Sequence, residues 1–331
     1  MTSTSPTAAV GATRAPSPTW ITVQFVLAGI VWGSSFLFMK VALTGISPAQ
    51  VAWTRILLGT VTLGILVLAR REHLSRSVRV WGHLLVLGIT FCVVPFLLFS
   101  WAQQHVSSGV ASIFNATTPI MTAIMAWLVF RVERLKAMQV VGIGVGILGV
   151  IVIIAPWQGL SWDGSLIAEL AILGATASYG FSFAYMRRFA SNTGMSALAF
   201  TFGYIAMAGL VMALLTPFLV LTPVQLDVPI VVSLVLLGCL GTGIAYVWNQ
   251  NTVRAWGPTR ASTVTYITPV VGVVLGVLIL GETVSWNEPV GALVVFLGIL
   301  LAQDRLRRRP RTAPAGGGAV TASRRAGGSR R

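Results

Sequence analysis

From about residue 20 to residue 302 the chain is a succession of ten apolar stretches, each about as long as a bilayer is thick, separated by short polar breaks. A hydrocarbon layer about 30 Å deep needs roughly 20 apolar residues per helical crossing. The stretches near 20–43, 48–69, 80–103, 108–130, 138–155, 164–186, 196–219, 229–252, 259–280 and 288–302 have about that length. Of the 331 residues 55% are hydrophobic and 9% are charged, against roughly a quarter charged in a soluble domain, so most of the chain faces something other than water. Polar and apolar residues do not alternate as barrel strands require. The pattern predicts an all-α integral membrane protein of ten transmembrane helices.

Residues 1–19 are polar, with one basic residue and no apolar core. They read as a disordered N-terminus rather than a cleaved signal. Cys92 and Cys239 lie inside apolar runs, where a thiol behaves as a small hydrophobe, and two such residues make no disulfide framework.

Net charge is +15, and its placement gives the two faces. In alternate connections, counting both ends of the chain, one set holds 21 Lys and Arg and the other holds none; Lys40 and Arg55 fall within helices. The positive-inside rule then puts both termini in the cytoplasm of a cell-membrane protein. Asp163, Asp227, Glu282 and Glu288 fall in the opposite connections. The segment 303–331, with nine Arg among Pro, Gly, Ser and Ala, suits a disordered cytoplasmic tail. Its expected partner is the anionic lipid surface rather than nucleic acid.

The chain repeats itself at an offset of 147–150 residues. Trp32 to Lys40, WGSSFLFMK, aligns with Tyr179 to Arg187, YGFSFAYMR. The segment from Ala111 aligns with that from Ala261, bringing Thr118-Pro119 onto Thr268-Pro269 and Glu133 beside Glu282, while Gly142 and Gly149 fall on Gly291 and Gly298. Five helices per half is an odd number, so the halves, 20–155 and 164–302, cross in opposite senses. The charges agree: the fourth stretch ends RVERLK and the ninth GETVSWNE. Such inverted repeats recur in secondary transporters, with the substrate site near mid-membrane between them.

These residues, with Pro48 and Arg55 in the second stretch and the A-S-x-x-x-x-x-T-P…E pattern in both halves, resemble the drug/metabolite transporter superfamily in its two-repeat EamA branch. The resemblance spans about 20–302. It implies a central cavity lined mainly by helices 1, 3, 4, 6, 8 and 9, and export of amino acids or other small metabolites by alternating access. A passive channel or a non-transporting membrane sensor is the alternative.

Ionisable residues inside a membrane are costly and mark function by default. Lys40, Arg55 and Glu169 are the three within helices. Lys40 could snorkel. Arg55 lies about 10 Å beyond Pro48 along a helix, too deep for that, and Glu169 could pair with either or carry a proton. Asn115, Thr118 and Thr122 fall on one helix face, matched by Ser262, Thr265 and Thr268 with Tyr266 beside them. Such a face turns inward, to line a cavity or to bond a neighbouring helix. Trp32, Phe36, Tyr179, Tyr185 and Trp248 are the aromatics expected at a substrate site, with Asn249 on its inner part. Trp20, Trp81, Trp157 and Trp162 sit at ends where interfacial anchoring is the better reading. Pro119 and Pro269, in matching mid-helix places, are candidate hinges.

No catalytic residues, metal ligands or cofactor are expected: His73, His83 and His105 are scattered, without paired carboxylates. GVGILG from Gly144 has the letters of a dinucleotide fingerprint but lies in an apolar helix with no preceding strand. The expected partners are a small-molecule substrate and the bilayer, with a second copy of the chain as a further candidate.

Overall fold

The computed structural model describes residues 17–131, 135–158, 164–190 and 193–302. The expectations for most of the N-terminus, for the tail, and for Glu133 and Asp163 therefore lie outside the described residues. Nine helices among those described are long and apolar enough to cross a membrane: α1 (Pro18–Ala42), α2 (Pro48–Ala69), α3 (Val78–Ala102), α4 (Ser108–Leu128), α5 (Ala137–Ile154), α6 (Ser165–Ala190), α7 (Ala197–Leu219), α8 (Val228–Trp256) and α9 (Ser262–Leu280). A shorter apolar helix, α10 (Asn287–Ala302), completes ten.

The helix starts follow from capping. Ser47 accepts from the Gln50 amide while the Gln50 side chain takes the Ser47 N–H, and Pro48 occupies the first helical position, where its missing N–H costs nothing. Ser196, at the matching place, caps α7 by accepting from the Ala199 amide, and Ser107 and Asp227 cap α4 and α8.

The two halves interlock. α4 packs on α6 as α9 packs on α1; α2 packs on α8 as α7 packs on α3; α5 lies along α10. Each pairing has its counterpart with the halves exchanged, the contact pattern of an inverted repeat.

Two kinds of helix interruption recur at matching places in the two halves. Proline removes the N–H that would bond the carbonyl four residues back. For Pro119 that carbonyl belongs to Asn115, and the Thr118 hydroxyl donates to it at 2.7 Å. For Pro269 it belongs to Thr265, and the Thr268 hydroxyl donates to it at 2.8 Å. Both helices change geometry there: α4 turns at Ala116-Thr117, and α9 opens as a 3₁₀ segment, Ser262–Tyr266. The mid-regions of α3 and α8 widen into π-helical segments, Ile89–Val93 and Leu236–Ile244, which coincide at an offset of 150. Widened turns free backbone groups and are frequent at functional sites.

Candidate functional site

At the centre, α1, α2, α3, α4, α6, α8 and α9 enclose a cavity of about 50 Å³, bordered by Trp32, Ser35, Phe36, Met39, Arg55, Phe91, Phe99, Asn115, Thr118, Tyr179, Phe183, Tyr246 and Thr265. A few waters would fill it.

The π-helical segments set the aromatic walls. The Gly241 carbonyl accepts the Trp32 indole N–H at 2.9 Å, and the carbonyl at the matching place, Phe91, accepts the Tyr246 hydroxyl at 3.4 Å. Each bond crosses between halves, so a carbonyl released in one half is satisfied by an aromatic of the other. Phe91 stands edge-on to Tyr179 and Tyr246 at 5.5 Å from each.

Arg55 is the charge of the site. It is 5% exposed, its Nε donates to Thr242 Oγ1 at 2.8 Å, and its guanidinium carbon lies 3.8 Å from the centre of the Phe96 ring. An arginine near mid-membrane costs about 3 kcal/mol on insertion scales. A desolvated cation–π contact contributes about 2 kcal/mol, and a hydrogen bond to a charged group about 2 kcal/mol. The burial is thereby offset without a carboxylate. Among the described residues Nε is the only hydrogen-bonded nitrogen of Arg55, the two terminal nitrogens make no hydrogen bond, and the residue borders the cavity. That leaves the planar fork that matches a carboxylate.

Asn115 also lines the cavity, its amide nitrogen 3.3 Å from Thr268 Oγ1 and its Oδ1 without a partner among the described residues. Of the sequence candidates, Trp32, Phe36, Arg55, Asn115, Thr118, Tyr179 and Thr265 meet at this cavity. The others stand elsewhere. Lys40 donates to the carbonyls of Gln103 and Val106, at 2.6 and 2.9 Å. Glu169 is half-buried on α6, and among the described residues the polar partners of Arg55 and Lys40 are hydroxyl and carbonyl oxygens rather than Glu169. Tyr185 hydrogen-bonds His83 at 2.7 Å. Trp248 packs with Ala28, Ala245 and Val264. Asn249, 2% exposed, has no protein partner for either amide atom. Tyr266 faces an apolar groove beside Pro269 and Phe296.

Phe91, Phe96, Phe99, Thr242 and Tyr246 escaped the sequence reading. A phenylalanine in an apolar run carries no signal. Tyr246 could have been found: its hydroxyl needs a partner wherever lipid surrounds it.

The EamA-like transporter family matches residues 19–155 and again 166–303. The chain is 24% identical over 286 residues to an uncharacterized transporter, YoaV, of Bacillus subtilis (strain 168), covering 85% of this chain and 95% of that one. It is 27% identical over 279 residues to the uncharacterized inner membrane transporter YedA of Escherichia coli (strain K12), covering 82% and 87%. It is 28% identical over 295 residues to a probable terminal-alkyne amino-acid exporter of Streptantibioticus cattleyicolor, covering 87% and 96%. A crystal structure of 18% sequence identity superposes with a TM-score of 0.64 over 87% of this chain and 99% of its own, and so shares the fold. With one match in each half, a ten-helix membrane architecture and relatives named as transporters, the chain is a transporter, not an enzyme, and belongs to the EamA-like transporter family.

Proposed function

We propose that the protein is a secondary transporter that exports small organic metabolites bearing a carboxylate, such as amino acids, by alternating access through the central cavity. The observation that carries this reading is Arg55: buried at the border of the cavity, positioned by Thr242 and Phe96, with its two terminal nitrogens making no hydrogen bond among the described residues. The aromatic walls supply apolar contact for the rest of the substrate and Asn115 Oδ1 supplies an acceptor. The naming of one relative as a probable amino-acid exporter is in keeping with this.

A cavity of about 50 Å³ is too small for such a solute, so the described conformation is a contracted one and the helices must part to load it. The interruptions at Pro119 and Pro269, whose freed carbonyls are held by single threonine hydroxyls, are the places for that motion. The 21 Lys and Arg gathered in one set of connections support an orientation with both termini in the cytoplasm of a cell membrane. The arginine-rich tail rests on anionic lipid there.

Counterflow of radiolabelled amino acids into proteoliposomes tests the reading. Saturable, substrate-accelerated exchange distinguishes a carrier from a channel. Arg55→Lys keeps the charge and loses the fork. It is expected to raise the apparent KM for a carboxylate substrate about tenfold or more, and to change transport of the matching carboxamide little. Normal exchange of every carboxylate by a well-inserted Arg55→Ala protein would sink the proposal.

A further inference from the structure

The two ends of the path differ. One helical turn beyond the central cavity, past Phe183 on α6 and Tyr246 on α8, lies a second cavity of about 460 Å³, bordered by Met186, Arg187, Met195, Val253 and Arg254. The repeat offsets carry these five onto Met39, Lys40, Ile46, Gln103 and Gln104 at the opposite end. There the space is closed by polar bonds. Lys40 Nζ donates to the Gln103 and Val106 carbonyls at the end of α3, and the Gln103 amide returns a bond of 3.1 Å to the Phe36 carbonyl.

A carboxylate from the other half completes the closure. After α9, Gly281 adopts φ +66° and turns the chain so that Glu282 N–H bonds the Gly276 carbonyl at 3.1 Å. The Glu282 carboxylate thus swings over the start of α4. It accepts from Ser108 N at 2.7 Å, Ser108 Oγ at 2.8 Å and Gly109 N at 3.1 Å, and acts electrostatically on Lys40. The anion sits on a helix N-terminus and the cation on C-terminal carbonyls, so each charge meets the helix end that favours it. A Cβ on Gly276 would lie 2.7 Å from Ser108 Oγ and would collide with the carboxylate, so glycine there makes room for the contact.

We infer that Lys40 and Glu282 form the latch that seals the path at the external end, and that it must open for release of cargo. The inference rests on the proposed orientation and export reading. Glu282 belongs to the second half and α4 to the first, so separating α9 from α4 means withdrawing three charge-assisted hydrogen bonds at once. The 460 Å³ cavity is the same region of the fold in its open arrangement, at the cytoplasmic end. Arg187, in the place of Lys40, borders it.

The test needs no transported substrate, so its failure is distinct from failure of the carboxylate proposal. Cysteine in place of Ser35, which lines the central cavity, serves as reporter in a chain with Cys92 and Cys239 changed to Ala. Labelling by a membrane-impermeant maleimide is followed in right-side-out and inside-out vesicles. Lys40→Met and Glu282→Gln are each expected to raise the external labelling rate about tenfold, the effect of losing a hydrogen-bonded charge. Gly276→Ala, which alters no charge, should act in the same direction. Lys40→Arg, which keeps a cation on the two carbonyls, should stay within about twofold of its parent. Unchanged external rates in Lys40→Met and Glu282→Gln proteins inserted at parental amounts would overturn the latch. Acceleration confined to inside-out vesicles would overturn its assignment to the external end.

Discussion

The halves present the same frame to the central cavity and different chemistry. Arg55 on α2 and Tyr204 on α7 stand at equivalent distances from the capping serines Ser47 and Ser196. Around Arg55 are Phe96 of its own half and Thr242 of the other; the same places around Tyr204 are taken by Tyr246 and Cys92. The Tyr204 and Tyr246 rings lie 6.2 Å apart where the guanidinium meets Phe96 at 3.8 Å. Tyr204 is fully buried and does not border the cavity, while Arg55 does. Duplication thus supplies a symmetrical scaffold, and the step that distinguishes one solute from another lies where the duplicates have diverged. A stack of hydroxyls and rings has become, on one side only, a supported cation.

Making the halves alike should remove function. Arg55→Tyr copies Tyr204 into the first half, and exchange of a carboxylate substrate in proteoliposomes is expected to fall at least about a hundredfold, the scale for losing a buried, bidentate charged contact. The reciprocal region should be far more tolerant: Tyr204→Phe removes a buried hydroxyl that, among the described residues, has only Thr201 as a polar neighbour and makes no well-formed hydrogen bond to it. Transport is expected within about twofold of the parent, with stability to detergent heating unchanged or higher, because an unsatisfied buried hydroxyl costs rather than contributes. A large loss from Tyr204→Phe would show that the second half carries chemistry of its own.

Thr242→Cys sharpens the comparison by giving Arg55 the residue type found at the matching place beside Tyr204, a thiol that accepts more weakly than a hydroxyl. The apparent KM should rise about tenfold while insertion stays normal, since the guanidinium keeps Phe96 but loses the bond that fixes its rotation. An unaltered KM would mean that Phe96 alone aims the arginine. The smallest effects are expected at the matched proline interruptions. Thr118→Val strands the carbonyl of Asn115, whereas Thr268→Val strands the carbonyl of Thr265 and also removes the acceptor of the Asn115 amide. The first should lower stability by about 1 kcal/mol and the second by somewhat more, in thermal unfolding of the purified protein. Equal losses would show that the Asn115–Thr268 bond contributes nothing.

Much of the fold was legible because lipid leaves few options for a backbone. The ten stretches fall within a few residues of the observed helices; the largest displacements, four residues each, are at the ends of α6, which runs to Ala190 rather than 186, and of α8, which runs to Trp256 rather than 252. The added turn of α8 carries Arg254, which stays in the helix with its guanidinium satisfied by the Met195 carbonyl. Arg55 was legible because a charge in an apolar run stands out. Its supports were not: Phe96 is indistinguishable by composition from a lipid-facing residue, and Thr242 is one hydroxyl in a glycine-rich run. Lys40 was conspicuous for the same reason as Arg55, yet its destination depends on where α3 ends, which the periodicity of α1 does not contain.

The packing of α5 along α10 bears on how the chain is made. A Cβ on Gly149 would come within 2.9 Å of the Gly291 carbonyl oxygen, and one on Gly291 within 2.8 Å of the Gly149 carbonyl oxygen, so each backbone is the surface the other was shaped for. α5 is made well before α10, so while the second half is translated the backbone at Gly142 and Gly149 waits for its partner. A nascent chain halted anywhere before Asn287 therefore presents an unpartnered backbone groove inside the membrane, a mark by which quality-control proteases could tell it from a closed bundle.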